Sequence, residues 1–425
     1  MTESEVSSIR QCRICGSKGL FPVLDLGRQP LANALLSSPS VPAVAFPLSV
    51  VGCDGCGVMQ LSATVDPRVM FDDYLYFSSY SDSMVDAMRH LAMTTCTELG
   101  LGPVDLVMEI ASNDGYLLGH YRDLGVRVLG VEPAANVALV AQQAGIETRV
   151  DYFTAALASE LRSAGYRPRV IHANNVLAHV PDIHDLIEGI AILLEDDGVA
   201  IVETPYLLDL VDRALFETIY HEHVFYYSLE ALQYLFGEHG MSIQDCEHLD
   251  VHGGSLRVTA GKGTAGPTVR AARSFAEEAS RSLRAQSDYA PFVSEVLEER
   301  AEVVSQLLQV TASGRSLAGY GAAAKATVLL NFTGIDHTTI DYVADRNPVK
   351  QGRLIPGVAI PVVSPQHLRA NPPDVLAVLV WNLADEVRSQ LQWFTEAGGE
   401  LVVPLEERRA VDRRTSGRAA PSHSG

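Results

Sequence analysis

The sequence predicts an α/β protein of three domains, and three observations carry that expectation. Two C-x-x-C pairs, Cys12/Cys15 and Cys53/Cys56, mark a small N-terminal domain. From about residue 86, apolar strands and helical segments alternate as in a doubly wound parallel sheet. A second run of that alternation starts at Ser316 and predicts a C-terminal Rossmann-like α/β domain. The 425 residues suit such a count, at roughly 150 residues per domain. The expected boundaries are 1–84, 85–264 and 265–410, with 411–425 a disordered tail rich in small and basic residues.

In the first domain a glycine follows each pair, Gly16 and Gly57. A C-x-x-C turn places two thiolates on one edge of a tetrahedron, and two such turns complete a four-sulfur zinc shell. The intervening span carries Pro22, Pro30, Pro39, Pro42 and Pro47 and little helical pattern, so it needs a staple that structural zinc supplies. The competing readings are four unrelated thiols, or a redox pair, which would sit in a βαβ pattern that is missing here. Cys96 and Cys246 stand alone and read as packing residues.

In the central domain Met84 to Leu99 reads as a helix. Five strands follow: Leu106–Ser112, Val126–Pro133, the short IETRV, RVIHANNV and GVAIVETP, with helices over Ala134–Ala144, Thr154–Ser163 and Asp182–Leu194. After a helix at Leu229–Glu238, MSIQDCEHL and GGSLRVTAG read as a closing hairpin. Residues 268–311 read as connecting helices. The last domain runs from SLAGYGAAAKATVLLNF through TTIDYVADRN and PVVSP to DVLAVLVWN.

Acidic residues outnumber basic ones 52 to 32, and the net charge is −20. That surface repels phosphate backbones and argues against a nucleic-acid partner, while a few local basic groups still suffice for a small anion. The longest apolar runs, such as Val375–Trp381, are too short to span a bilayer. MTESEVSSIRQCR has no apolar core, so no secretory signal is expected and the thiols belong to a reducing cytoplasm.

The first central strand ends in Glu109-Ile-Ala-Ser-Asn-Asp-Gly115, and the next ends in Glu132 one βαβ step later. Asn113 and Gly115 would let the backbone approach a cofactor, and Glu132 can accept from a ribose diol. The loop is not G-x-G-x-x-G, so the pattern favours S-adenosylmethionine over a dinucleotide; a generic βαβ turn is the plain alternative. Asp151-Tyr152-Phe153 could flank the adenine.

The fourth strand ends in Asn174-Asn175-Val-Leu-Ala-His179, at the edge that faces the cofactor crevice. Beyond the fifth strand, Tyr220-His221-Glu222-His223 packs four proton-transfer side chains into four positions. H-E-x-x-H zinc chemistry fails because position 225 is Phe. A solvated polar loop is the competing reading. In the last domain Gly319-Tyr-Gly321-Ala-Ala-Ala-Lys325 opens a helix, with Asp341 and Asp345 about one step later. This is a phosphate site, a merely structural turn or an NAD site.

Taken in order, the four cysteines, the E-x-x-x-x-D-G core, the N-x-x-x-H strand end, the Y-H-E-H loop, H-G-G-S-L-R and G-Y-G-A-x-x-K resemble the sugar C-methyltransferases that act on nucleotide-linked 4-keto-deoxysugars, as in tetronitrose and mycarose pathways. The resemblance covers about residues 10–408. It implies a zinc domain, an S-adenosylmethionine domain and a C-terminal domain that helps to hold the nucleotide, with Tyr320 and Lys325 as substrate contacts. It implies His223 as the base, with Tyr220, Glu222, Asn175 and His179 around it; Asn174, by its place at the strand end, is expected beside the cofactor. Tyr74 and Tyr76 in FDDYLYFSSYS match the family's aromatic residues after the zinc domain. The expected enzyme is a cytoplasmic monomer that methylates C3 of a dTDP-4-keto-deoxyhexose, with C5 methylation and NAD-dependent sugar oxidoreduction as alternatives. A zinc-bearing scaffold with a degenerate cofactor domain is disfavoured by the intact Glu109, Gly115, Glu132 and Tyr220–His223. The zinc is expected to lie apart from the chemistry.

Overall fold

The computed structural model describes residues 6–71, 78–80, 82–249 and 253–405. Its strands, in chain order, are β1 (Val6–Ser8), β2 (Leu20–Pro30), β3 (Ala45–Cys53), β4 (Met59–Leu61), β5 (Ala63–Val65), β6 (Leu106–Ile110), β7 (Arg127–Val131), β8 (Thr148–Arg149), β9 (Val170–Asn174), β10 (Val199–Pro205), β11 (Phe225–Tyr226), β12 (Met241–Leu249), β13 (Ser255–Lys262), β14 (Leu317–Tyr320), β15 (Val343–Ala344), β16 (Val362–Val363), β17 (Val375–Val378) and β18 (Glu400–Val402). The expected disordered tail, 411–425, and the tyrosines Tyr74 and Tyr76 lie outside the described residues.

Packing groups the chain into two compact units that interleave along the sequence. The first takes residues up to Asp25, Leu48–Leu208 and His221–Tyr289; the second takes Leu26–Pro47, Asp209–Tyr220 and the chain from Ala290 onward.

The first unit is built on a seven-stranded sheet of order β12-β13-β10-β9-β6-β7-β8. The five strands expected from the sequence are parallel, and β13 and β12 close the β10 edge as an antiparallel pair. β6 and β9 are buried at every position, as strands covered on both faces must be. One face is covered by the helix Asp82–Leu99, which brings Met88, Leu91 and Ala92 onto Val107, Val170 and Ile201. The other carries helices Ala155–Ser163, Ile183–Leu193 and Leu229–Gly237. Their ends are ordinary: Thr154 and Ser228 cap their helices through side-chain oxygens. Among the parallel strands, chain order runs outward in both directions from the β6/β9 border. That border is the topological switch point, beyond whose carboxyl ends open α/β sheets bind their ligands.

The cysteine module shares this unit. Cys12, Cys53, Cys56 and Val58 belong to the same apolar core as Leu177, Val224, Phe225 and Tyr227. The proline-rich span between the cysteine pairs, which carries little helical pattern, holds two long strands, β2 and β3. They lie in a sheet of order β11-β4-β3-β2.

The second unit holds a five-stranded parallel sheet of order β16-β15-β14-β17-β18. Residues 26–47 pack within this unit: Thr327 donates to Ala32 O at 3.0 Å, and Leu36 bridges to Leu354. No helix among the described residues is long and apolar enough to cross a membrane.

Candidate active site and zinc centre

The four cysteines converge. Their sulfurs all lie within 4.8 Å of one another, with Cys12–Cys56 at 3.7 Å and Cys15–Cys53 at 3.4 Å. Four thiolates at the usual Zn–S length of about 2.3 Å stand roughly 3.8 Å apart, so the donor set fits tetrahedral zinc. Each turn closes through its glycine: Gly16 N donates to Cys12 O at 3.0 Å and Gly57 N to Cys53 O at 3.1 Å, at φ of +69° and +73°. Burial pushes the Cys15 thiol up to about 11, while hydrogen bonds with Cys12 and Cys56 pull Cys53 well below its ordinary value. A divalent cation removes that asymmetry by holding all four as thiolates.

Polar groups gather at the switch point. Asn174 Nδ2 donates to Glu109 Oε1 at 3.2 Å, linking β9 to β6 across the border. Glu109 is fully buried, and its pKa lies well above the carboxylate range. Burial is the main cause; Glu132 and Asp114 add to it, and the Asn174 bond opposes it. Glu132 is held by backbone donors on both oxygens, Asn113 N and Ala134 N, each at 2.9 Å. Ala111 and Asn113 both take positive φ, 52° and 51°, which curls the loop around this carboxylate. Gly115 has φ +81°, and a Cβ there would sit 3.0 Å from Ile146 Cγ1, so close packing also demands glycine. Glu109 Oε2, Ser112 Oγ, Asp114 Oδ1 and Asn174 Oδ1 are buried with no partner among the described residues. Unmet oxygens at such an edge suit a ligand that brings an ammonium and ribose hydroxyls, as S-adenosylmethionine does. Asp151, by contrast, is exposed and paired with Arg149 at 3.6 Å, while Phe153 is buried.

Asp114, the acid of the E-x-x-x-x-D-G core, has a role that the motif alone does not give. Its Oδ2 accepts from Ser79 N at 3.2 Å, and Asn113 Oδ1 accepts from Ser78 N at 2.9 Å. The end of the aromatic stretch is thereby fastened to the cofactor loop. Glu203 is buried and pairs at 2.8 Å with the half-buried Arg257, the last residue of H-G-G-S-L-R, which joins β10 to β13.

His179 and His223 meet edge-on with ring centroids 4.9 Å apart, and Tyr226 stands 6.3 Å from His223. Burial pulls His179 down to about 4, partly offset by its hydrogen bond to the Glu222 backbone. It is therefore neutral near pH 7 and offers a ring N–H. Asn175 takes φ 55° at the end of β9, with its N–H on Glu203 O at 2.7 Å. His221, Glu222 and His223 are all buried, which excludes the solvated-loop reading. Tyr220 falls in the segment that packs with the second unit.

In the second unit the glycine turn is closed by its own residues. Asp345 Oδ2 accepts from Ala322 N at 2.8 Å, and Lys350 Nζ donates to Ala322 O at 2.8 Å. A carboxylate at that turn disfavours a dinucleotide pyrophosphate. Tyr320 is buried, with its hydroxyl on Gln390 at 3.1 Å. Lys325 Nζ stands 5.3 Å from the Trp381 ring centre, and the indole donates to the buried Glu217 at 2.5 Å.

Comparison with known proteins bears directly on this arrangement. The C-methyltransferase NovU of Streptomyces niveus is 37% identical over 415 residues, which is 97% of this chain and 99% of the relative. This chain belongs to the C-methyltransferase family. Family models agree along its length: a zinc-binding domain over 12–71, a methyltransferase domain over 86–245 and a C-methyltransferase C-terminal domain over 250–406. The enzyme is thus a C-methyltransferase that uses S-adenosylmethionine and carries an N-terminal zinc site. Two solved structures similar to part of it are magnesium protoporphyrin IX methyltransferase from Synechocystis PCC 6803 (16% identity, TM-score 0.33, 43% of this chain and 79% of that one) and the CcbJ methyltransferase from Streptomyces caelestis (13%, 0.33, 42% and 90%).

Proposed function

We propose that this C-methyltransferase acts on C3 of a dTDP-linked 4-keto-deoxyhexose, with His223 as the base. The observation that carries the reading is the buried pairing of His223 with a neutral His179 at 4.9 Å. One ring can take a proton while the other remains a hydrogen-bond donor. A ketone at C4 acidifies the C3 hydrogen. His223 removes it, and the electron pair moves onto O4 as an enolate. His179 donates to that oxygen, with Asn175 and Tyr220 as further donors, so charge is met where it develops. Glu222 orients the imidazoles. Bound S-adenosylmethionine supplies an electrophilic methyl group on a sulfonium. Glu132 would hold its ribose, and Glu109, Asn113 and Asn174 would hold the methionine end, so that these residues position the donor rather than activate it. Lys325 and Tyr320 serve the nucleotide end of the substrate, Tyr74 and Tyr76 its sugar, and the monomer suffices.

The test is incubation with S-adenosylmethionine and a panel of dTDP-4-keto sugars, with the methylated carbon read by NMR. A C3-methyl product supports the proposal, and a C5-methyl product replaces it. Turnover of NAD without methylation would move the protein to the oxidoreductases, which the occupied turn at Ala322 disfavours.

A further inference from the structure

We infer that Gln60 is a positioning residue that couples the zinc centre to the histidine pair, so that the zinc module sets the geometry of proton transfer as well as holding the fold. The inference deepens the reading of His223 as the base and rests on it.

Gln60 is fully buried in β4. Both ends of its amide serve the first cysteine turn: Nε2 donates to Cys12 Sγ at 3.1 Å, and Oε1 accepts from Arg13 N at 3.2 Å. Arg13 in turn donates to Leu61 O at 2.9 Å and to Thr64 Oγ1 at 3.3 Å, which pins the strand from its other side. The backbone of Gln60 pairs with Phe225 in β11, the strand that begins two residues after His223.

The link continues through one residue. Leu61 N donates to Val224 O at 2.8 Å, and Val224 N donates to Ala178 O at 2.6 Å. Val224 follows His223, and Ala178 precedes His179. Each histidine is thus one bond along the chain from a hydrogen bond that leads back to β4. Tyr227 doubles the connection: its hydroxyl donates to Leu177 O at 3.0 Å, and its ring stacks on Phe225 at 5.4 Å in the core that holds Cys12, Cys53 and Cys56. Strand alternation turns Tyr226 the other way, edge-on to His223.

A glutamine that merely filled a polar hole would not need both amide ends on one cysteine turn and its backbone on the strand after the base. With Cys12 fixed as a zinc thiolate, Gln60 Nε2 fixes β4, and β4 fixes the spacing of the imidazoles. Displacements of about 1 Å at a reacting centre cost up to roughly 10²-fold in rate.

The test uses full-length, zinc-loaded Gln60→Leu, which keeps a strand-forming apolar residue and removes the amide's contacts with Cys12 and Arg13. Zinc content, melting temperature, kcat and KM for S-adenosylmethionine are measured on dTDP-4-keto sugar. Histidines labelled at 13Cε1 are followed by NMR without substrate, with His179→Gln and His223→Asn giving the assignments. We expect one zinc per chain, an unchanged KM, shifted His179 and His223 signals, and kcat down about 10–10²-fold. Unmoved histidine signals and an unchanged kcat, with only zinc affinity or melting temperature lowered, would overturn the inference. If Gln60→Leu does not fold, chelator titration of the wild type replaces it. Histidine signals that shift before unfolding support the coupling, and signals lost only with unfolding overturn it. If His223→Asn retains solvent exchange at the sugar, the base reading fails, while shifted signals in Gln60→Leu would still establish the coupling.

Discussion

Val224 donates its backbone N–H to Ala178 O at 2.6 Å, and this bond seats His223 against His179. The two histidines come from different elements, one after β9 and one before β11, separated by the whole of β10 and the segment beyond it. The Tyr227 hydroxyl on Leu177 O, at 3.0 Å, ties the same two segments a second time.

Replacing His223 by Asn should leave S-adenosylmethionine binding nearly unchanged and lower turnover by roughly 10²–10⁴, the usual range for loss of a general base. With S-adenosylhomocysteine in place of the donor, the wild type should wash solvent deuterium into C3 of the 4-keto sugar, and His223→Asn should not. Undiminished exchange in the variant assigns the proton to His179, His221 or Glu222 instead.

Glu132→Ala should weaken S-adenosylmethionine by about 1.5–3 kcal/mol for each charged hydrogen bond lost. The same change strips Asn113 N and Ala134 N of their acceptor, so the loop loses its shape as well. Calorimetry of the purified variant measures this. NAD should give no heat with the wild type.

Metal analysis should find one zinc per chain, bound by Cys12, Cys15, Cys53 and Cys56. A Cys53→Ser variant should lose that zinc and much of its stability, because Cys12, Cys53 and Cys56 belong to the main core of the first unit. A stable, metal-free variant with a wild-type melting point would contradict the assignment.

His172 gives a pH prediction. Its ring is fully buried, bonded to Tyr121 OH at 2.8 Å, and its pKa is pulled down to about 3 by burial, with Arg257 adding to the effect. Unfolded, it titrates near 6.5. As pH falls below that value, the unfolded chain takes up the proton first, and stability declines by about 1.4 kcal/mol per unit towards pH 3. Glu109 acts in the opposite sense: its raised pKa gives stability that is lost as pH rises through the folded value. The measurement is therefore the difference between wild type and His172→Gln in denaturant melts from pH 7 to 4.5, and it should narrow as pH falls. A constant gap would mean that His172 does not carry this dependence.

The four cysteines, the five parallel strands and the closing β12/β13 pair were legible because each leaves a local mark: ligand spacing, apolar runs, or small residues at strand ends. The Glu109–Asn174 contact depends on β6 and β9 being neighbours in the sheet, which no local pattern announces. What stayed hidden was non-local. Nothing around Phe225 announces that it pairs with Gln60, and nothing in 26–47 announces that it packs with residues beyond 290. Prolines 22, 30 and 47 also masked β2 and β3, since proline within an alternating run argues against a strand until its place in the sheet is known.

The interleaving of the two units has a consequence for biosynthesis. Residues 26–47 leave the ribosome early, yet their packing partners, including Thr327 and Leu354, are among the last to appear. Leu31, Ala32 and Leu35, at 5%, 3% and 8% exposure in the finished protein, must wait uncovered while most of the chain is made. Completion of the second unit is therefore a late event that joins an early-made segment to a late-made one. A fragment beginning at Ala290 starts life without two of the three segments its own unit needs.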